Sequence, residues 1–321
     1  MIRSSSLARK RCLPCGIARC KRGDCYSTGA MSFSMSKVAV PKPAPPEQRD
    51  RVAGVKRQGV NNDRASKVPK VSDLLGTHGL TKNVPHKSLK EIVFRKLSMC
   101  DRMVAIDVET HDLVPRGLSA WSVDQFGLRT RVAPEALSSL RIVEVGCAAG
   151  TISEISGAKG VLVRPDGFAI TAKATDKHGI TQQMANTSGL PLQEALRTVI
   201  GDVLEHCAQG ACLVSHNLPF DAGLVYEELS RAGLDHLKEE WARAARNGID
   251  TMDPDIAHWA WCKAGYEGKD WLAPKSLADL VYGFVPCASS LLKEHHRAGA
   301  DASMHLALCR ELVKCYRSER E

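Results

Sequence analysis

The sequence predicts an α/β domain over residues 101–318, preceded by a largely disordered basic region. One observation is a charge split: residues 1–100 carry 21 Lys and Arg against 6 Asp and Glu, a net charge of +15. Residues 101–321 carry 23 Lys and Arg against 30 Asp and Glu, and they hold thirteen of the sixteen aromatic residues. The second observation is that short apolar runs alternate with amphipathic segments only in this acidic part, as in α/β domains. A basic, aromatic-poor chain buries too little apolar surface to fold.

Composition excludes several classes of protein. The chain has 321 residues, of which 44% are hydrophobic and 25% charged, as is usual for globular proteins. No apolar run approaches the roughly 18 residues of a membrane span, so we expect no membrane insertion. Eight of the twelve cysteines are scattered singly after residue 99. This usage favours a reducing, intracellular compartment without a disulfide framework.

The first 35 residues form a leader with two interpretations. Seven basic residues and three consecutive serines precede the first acidic residue, Asp24, a composition typical of organelle transit peptides. This interpretation places the protein in the mitochondrion or another organelle; the alternative is the nucleus or cytoplasm. The spacing of Cys12, Cys15, Cys20 and Cys25 is similar to that of the retroviral zinc knuckle. Four thiolates can hold Zn²⁺, so zinc binding here is the competing interpretation.

Two segments lie between the leader and the acidic part. Residues 36–72 are predicted to be a disordered linker rich in Pro and Lys, stiffened by four prolines between 41 and 46. Within residues 73–100, Leu89, Ile92, Val93 and Leu97 have helical spacing. We therefore expect a helix that leads into the folded domain.

The acidic part is predicted to contain strands and helices in alternation. Short apolar runs predict strands at 103–110, 141–147, 160–164, 211–215 and 248–252. Amphipathic spacing predicts helices at 191–207, 222–232, 253–264, 275–283 and 297–317. Pro219 suits the first turn of the second helix, and Gly233 suits its C-terminal end.

Two carboxylates, Asp107 and Glu109, interrupt the first predicted strand. Because strand residues alternate between faces, both side chains lie on the same side and close together. Burying two like charges is costly unless a cation neutralises them, so a metal site is one interpretation. The other interpretation is a strand end that emerges into solvent. Residues 103–110 alone do not decide between these two interpretations.

Two further motifs follow the later strands and helices. His216-Asn217-Leu-Pro-Phe220-Asp221 places Asp221 in the first turn of a helix, just past a strand. His296 stands at the start of the last helix, with Asp301 in its second turn. Together with Asp107 and Glu109, this order resembles the three motifs of the DEDDh (DnaQ-like) 3′→5′ exonucleases. Secondary matches are 142–146, His178-Gly-Ile-Thr181 and Asp250-Thr-Met252, so the resemblance covers roughly residues 103–315.

The resemblance implies a fold and a set of roles. The family fold is a ribonuclease-H-like three-layer domain with a mixed five-stranded sheet, whose second strand is antiparallel to its neighbours. Two Mg²⁺ or Mn²⁺ ions are implied as cofactors, in agreement with the preference of hard cations for carboxylate oxygens. The implied metal ligands are Asp107, Glu109, Asp221 and Asp301, the implied base that deprotonates the attacking water is His296, and the implied substrate-binding residues are Thr110, His178 and Asn217.

The implied activity is removal of nucleoside monophosphates from the 3′ ends of single-stranded DNA or RNA by a two-metal-ion mechanism. The alternative is a non-catalytic nucleic-acid-binding module on the same fold, and a third hypothesis is a zinc-dependent adaptor that acts through the N-terminal cysteines. If the basic tail is retained in the working protein, we expect it to attract phosphates without sequence preference; if it is a transit peptide, it has no part in binding. The sequence leaves the oligomeric state open, with a homodimer as one alternative, because some family members dimerise.

The connection at 111–140 is longer than in many family members. It contains Trp121, Phe126, Arg116, Arg129 and Arg131. One interpretation is that it limits substrate length or stacks a terminal base, since long ordered loops beside active sites are often functional. The other is a surface excursion that packs its own aromatic residues.

Overall fold

The computed structural model describes residues 86–114, 121–266, 268, 270, 273–286 and 288–321. The predicted leader, with Cys12, Cys15, Cys20 and Cys25, and the predicted linker at 36–72 lie outside these residues. Helix α1 (His86–Ser98) forms inside the 73–100 segment, in which the sequence predicts a lead-in helix. Within the described ranges, no helix is both long enough and apolar enough to cross a bilayer.

The strands form one five-stranded sheet and one short hairpin. The sheet strands are β1 (Arg102–Thr110), β4 (Ile142–Thr151), β5 (Ile155–Leu162), β6 (Cys212–Ser215) and β7 (Ile249–Asp250); the hairpin strands are β2 (Ser122–Val123) and β3 (Arg129–Thr130). The sheet order is β5-β4-β1-β6-β7. β4 pairs antiparallel with β1 and β5, whereas β1, β6 and β7 run parallel. The predicted mixed five-stranded sheet is confirmed.

Helices cover both faces of the sheet. They are α2 (Pro134–Ser139), α3 (Ala172–His178), α4 (Gln182–Ser188), α5 (Leu192–Ala208), α6 (Leu218–Arg231), α7 (Lys238–Asn247), α8 (Pro254–Lys263), α9 (Leu277–Phe284), α10 (Ala288–Leu291) and α11 (Ala298–Ser318). Helices α5, α6 and α7 share one apolar core with one face of the sheet. Helices α1, α8, α9 and α11 share a second core with the other face.

Alternation along β1 determines which face carries the two acidic residues. Val104 and Ile106 pack toward α5 and α6, whereas Met103 and Ala105 pack toward α11. Asp107 and Glu109 continue the second series, because strand side chains alternate between faces with period two. Both carboxylates therefore face the layer that contains α11.

The structure differs from the predicted elements at several points. The third predicted strand, β5, begins at Ile155 instead of 160. A tight turn, in which the Thr151 N–H donates to the Glu154 carbonyl, reverses the chain directly after β4. Helices α3 and α4 are only seven residues long, begin at capping Thr171 and Thr181, and have few apolar positions. Helix α7 buries only Trp241 and Ala245, so its charged sequence shows no broad apolar face.

The described part of the 111–140 connection packs against the domain. Phe126 is buried and meets the Tyr226 ring edge-on, with 5.7 Å between ring centroids. The Arg129 guanidinium donates to Asp253 (Nε–Oδ2 2.9 Å) and to Asp255 (Nη2–Oδ2 2.6 Å) at the start of α8. These contacts attach the connection to α6 and α8, while Leu113, at its start, is exposed beside the cavity described next.

Candidate active site

A cavity of roughly 360 Å³ opens where β1 and β6 end, between α3, α6 and the start of α11. It brings together all the site residues that the sequence predicts within the described ranges. These residues are Asp107, Glu109, Thr110, His178, Asn217, Asp221, His296 and Asp301. The four N-terminal cysteines lie outside the described residues.

The turn from β6 into α6 places Asp221 beside β1. Asn217 adopts a left-handed conformation with φ +90°, which lets the chain reverse directly into the helix. The Asp250 carboxylate holds this turn, since its Oδ1 accepts the N–H groups of Asn217 (2.9 Å) and Leu218 (3.3 Å). Asp221 then accepts a hydrogen bond from the Ser215 hydroxyl. The buried Asp250 thus fixes the position of Asp221 through backbone hydrogen bonds.

The N-terminus of α11 is anchored on β4. Glu144 accepts from Arg297 through both carboxylate oxygens, at 3.0 Å from Nε and 2.6 Å from Nη2, and accepts the Ala298 N–H at 2.9 Å. Contact is so close that a Cβ on Gly146 would lie 2.3 Å from the backbone of Ala298 and Gly299. Only glycine at position 146 allows α11 to approach β4 and bring Asp301 over β1.

Two histidines precede α11, and both contact Asp301 or its neighbours. His295 Nδ1 lies 2.8 Å from Asp301 Oδ1. The backbone N–H of His296 lies 3.2 Å from both carboxylate oxygens of Asp301, and His296 has φ +72°. The two imidazole rings stack with 3.8 Å between centroids. The His296 side chain is therefore held at the cavity by an unusual backbone conformation, while His295 is bonded to the carboxylate.

Two further histidines lie under the carboxylates and remain neutral. His305 donates from Nδ1 to the Ile106 carbonyl (2.9 Å), which leaves Nε2 3.7 Å from Asp107 Oδ1. His216 Nε2 donates to the Lys275 carbonyl at 2.8 Å. Burial lowers the pKa of His305 to about 4 and that of His216 to about 3. Neither ring supplies positive charge to the acidic cluster at neutral pH.

The carboxylates repel one another strongly. Burial, followed by the charges of Asp221, Asp301 and Glu109, raises the pKa of Asp107 well above its usual range. Burial and the charges of Asp301 and Glu144 raise the pKa of Glu109 to about 8. Burial also raises the pKa of Asp221, although the Ser215 hydroxyl opposes this effect. Such a cluster is stable in its ionised form only with bound cations.

The donor set fits a divalent metal. Carboxylate oxygens of Asp107, Glu109 and Asp301 lie within 4.8 Å of one another. Oxygen-only ligation suits hard cations such as Mg²⁺ or Mn²⁺. His295, His296 and Asp301 form a second group with the same spacing, in which nitrogen ligands would suit a transition metal. The all-carboxylate group contains three of the four predicted ligands, and the fourth, Asp221, lines the same cavity.

Thr110 and His178 are tied to each other across the cavity wall. His178 Nδ1 accepts the Ile180 N–H at 3.0 Å, so its Nε2 donates to the Thr110 carbonyl at 3.1 Å. The Thr110 hydroxyl donates to the Asp112 carbonyl at 2.7 Å. Both side chains are nearly fully buried and bonded within the protein. In this structure they build the wall, and their polar atoms already have protein partners.

The part of the chain that forms the acidic cavity matches a known protein family. The family model of RNase T, an exonuclease family, matches residues 104–309. The chain belongs to this exonuclease family. The match includes β1 with Asp107, the β6–α6 turn with Asp221, and the start of α11 with Asp301, so the sequence resemblance to DEDDh exonucleases is confirmed at the level of the family.

Solved structures of exonuclease I resemble this exonuclease domain. The zinc-bound complex of E. coli exonuclease I with single-stranded DNA has 18% identity and a TM-score of 0.48, with 69% of this chain and 42% of that chain covered. Exonuclease I without ligand has 17% identity and a TM-score of 0.47, with 69% and 43% covered. The chain thus matches less than half of the length of these proteins. No curated protein matches it.

Several residues that shape the exonuclease cavity were not predicted from sequence. His305 follows Asp301 by four residues, so helical spacing could have placed it on the same face. Ser215 directly ends the strand before the second motif. Arg297 and Lys177 have no sequence signal of their own, because their contacts join segments that are far apart in the chain. Glu144 lies within the secondary family match at 142–146, but its contact with Arg297 was not predicted.

Proposed function

We propose that this chain is a 3′→5′ exonuclease that hydrolyses terminal phosphodiester bonds of single-stranded nucleic acid and releases nucleoside monophosphates. The observation that carries the proposal is the convergence of Asp107, Glu109, Asp221 and Asp301 with His296 in one cavity. Membership of an exonuclease family supports it. Exonuclease I, a structural relative, is described as bound to single-stranded DNA.

The four carboxylates would hold two divalent cations, Mg²⁺ or Mn²⁺. Such ions supply Lewis-acid stabilisation of the negative charge that develops on the phosphate oxygens. The chain contributes the rigid supports: Asp301 accepts the backbone N–H of His296, and Asp221 is held by the Ser215 hydroxyl and the β6–α6 turn. The raised pKa values of Asp107 and Glu109 are the expected signature of a carboxylate cluster made to bind cations.

His296 would accept the proton of the attacking water. Burial, followed by the electrostatic effects of His295 and Lys177, lowers its pKa below the usual value, so the ring is neutral and able to accept a proton at pH 7. Its stacking on His295 fixes the ring plane. Asn217, Thr110 and His178 would shape the wall against which the terminal nucleotide rests.

Degradation of 5′-labelled single-stranded DNA and RNA oligomers tests the proposal. We expect stepwise shortening with Mg²⁺ or Mn²⁺, lost in EDTA and in Asp107→Ala and His296→Ala. Asp202→Ala is the matched control, because Asp202 is an exposed acid on α5, outside the cavity. A folded wild-type chain that binds the oligomers without shortening them would support the non-catalytic binding module instead.

A further inference from the structure

The cavity carries one cationic side chain, and it is not explained by the roles proposed above. Among the described residues that line the cavity, Lys177 is the only Lys or Arg. We propose that Lys177 binds a phosphate of the single strand as its 3′ end enters the cavity. This inference rests on the proposed exonuclease function and names a substrate-positioning residue within it.

The backbone holds Lys177 beside the carboxylates. Lys177 lies in the last turn of α3, immediately before His178. The His178 ring bonds both to the Thr110 carbonyl of β1 and to the Ile180 N–H, and Gly179 ends the helix with φ +73°. The last turn of α3 is therefore attached to the end of β1, one residue beyond Glu109. This attachment fixes the origin of the lysine side chain at the rim of the cavity.

The ammonium group is available to a ligand. Lys177 is exposed, and no carboxylate within the described ranges lies at ion-pair distance from it. Its charge nevertheless reaches the site, since it opposes the rise in the pKa of Glu109 and contributes to the lowered pKa of His296. An unpaired, long and flexible cation suits a phosphate, which Lys contacts as a point charge.

The charge balance of the cavity supports phosphate binding by Lys177. A phosphate that approaches the four carboxylates is repelled by their negative charge. Bound divalent cations would offset this repulsion at the reacting bond. A second phosphate of the strand, outside that position, still needs a positive partner. Lys177 is the described lining residue that can provide it.

Lys173 on the same helix provides a matched control. It is exposed like Lys177 and stands one helical turn earlier, but it does not line the cavity. Loss of either lysine removes one charge from α3. Only loss of Lys177 removes it from the cavity.

The experiment compares full-length wild-type, Lys177→Gln, Lys177→Arg and Lys173→Gln proteins on a single-stranded oligomer. For Lys177→Gln we expect KM to rise about tenfold with kcat within twofold, as for loss of one charge-assisted contact. In metal-free binding, the slope of log Kd against log salt should shrink by about 0.7, the value for one phosphate of a single strand. Lys177→Arg should restore both properties, and Lys173→Gln should resemble the wild type.

The outcomes separate this inference from the proposed function. Unchanged KM and salt slope in Lys177→Gln, or equal effects in Lys173→Gln, would overturn the phosphate contact. A change confined to the Mg²⁺ concentration for half-maximal activity would also overturn it, because Lys177 would then only neutralise Glu109. A wild-type chain that binds but never cuts would contradict the exonuclease, while the binding arm would still decide the role of Lys177.

Discussion

The Glu144 carboxylate binds the Arg297 side chain through both oxygens and accepts the Ala298 N–H, so one buried acid on β4 fixes the start of α11. Glu144 is 3% exposed, whereas Arg297 is 43% exposed. The pair is thus a bidentate interaction at the edge of the protein interior, 153 residues apart in sequence. Its consequence is positional, because Asp301 and both histidines depend on the first turn of this helix.

Removal of this anchor should damage activity more than stability. For Glu144→Ala we expect a loss of about 2 kcal/mol in the free energy of unfolding, since the half-exposed Arg297 can regain water. We expect kcat to fall at least tenfold, because Asp301 loses its fixed position. Urea unfolding and steady-state kinetics measure the two effects. Glu311→Gln, which removes an exposed ion pair with Lys314, should change neither; unchanged kcat in Glu144→Ala would contradict the positioning role.

Gly146 should not tolerate a methyl group. A Cβ there would lie 2.3 Å from the α11 backbone, so Gly146→Ala must displace the helix. We expect a loss of about 1–3 kcal/mol in stability and weaker Mg²⁺ binding. Gly157→Ala on β5 is the control, since nothing lies within 4 Å of its added Cβ. Thermal melts with and without Mg²⁺ measure both effects, and equal melts for the two variants would argue against close packing of α11.

The carboxylate cluster predicts a pH-dependent gain in stability from Mg²⁺. The folded pKa of Glu109 is about 8, above the unfolded value of 4.5, so the metal-free protein loses stability as pH rises through this interval. Metal binds the ionised form and removes this loss. Between pH 7 and 8.5 the buried His216 and His305 are neutral in the folded state and mostly neutral in the unfolded state, so their titration contributes little to the change.

We therefore expect the Tm in EDTA to fall between pH 7 and pH 8.5, and saturating Mg²⁺ to raise Tm more at the higher pH. At 100-fold excess over Kd, binding contributes about 2.7 kcal/mol, or roughly 5–10 °C for a domain of this size. Differential scanning calorimetry measures the shift. Glu109→Gln should reduce the pH dependence in EDTA; an Mg²⁺ effect that is absent at both pH values would count against the cluster as a metal site.

The two adjacent histidines should differ in their effect on catalysis. His296→Gln removes the proposed base, so kcat should fall about 10²–10⁴-fold. His295→Asn keeps a donor for Asp301 and removes the stacked ring, so we expect a loss of less than tenfold. Single-turnover rates measure both. The reverse order of effects would assign the base to His295.

The basic tail should add affinity without specificity. Residues 1–72 contain most of the positive charge of the first hundred residues. Deleting them should weaken binding to single-stranded DNA of any sequence and flatten its salt dependence, because fewer phosphates are neutralised. Fluorescence anisotropy between 50 and 300 mM salt measures the slope; an equal slope in both proteins would remove the tail from substrate binding.

Local periodicity predicts most strands and helices, whereas the mixed sheet and the set of four acidic ligands were implied by the resemblance to the DEDDh family. Period two along β1 puts Asp107 and Glu109 on one face, and Pro219 marks the helix start that brings Asp221 forward. The short helix α3 was not predicted, because the capping residues Thr171 and Gly179 define its ends and it has no apolar face with helical spacing. Periodicity does not predict contacts such as that between Glu144 and Arg297, because only tertiary packing brings these residues together.

The same limit applies to Lys177. In sequence it is one of 44 basic residues, and only the attachment of His178 to Thr110 places it at the cavity. His305 is the intermediate case, since its spacing of four from Asp301 predicts a shared helix face but not its hydrogen bond to the Ile106 carbonyl. Candidate ligands are therefore readable from sequence, whereas the groups that orient them are not.

The polarity of cleavage on end-blocked oligomers tests the proposed 3′→5′ exonuclease activity most directly. Single-stranded oligomers with a blocked 5′ end or a blocked 3′ end are incubated with the full-length protein and Mg²⁺. We predict release of nucleoside monophosphates from the 5′-blocked oligomer and none from the 3′-blocked one. Degradation of the 3′-blocked oligomer alone, or internal cuts in both, would contradict it.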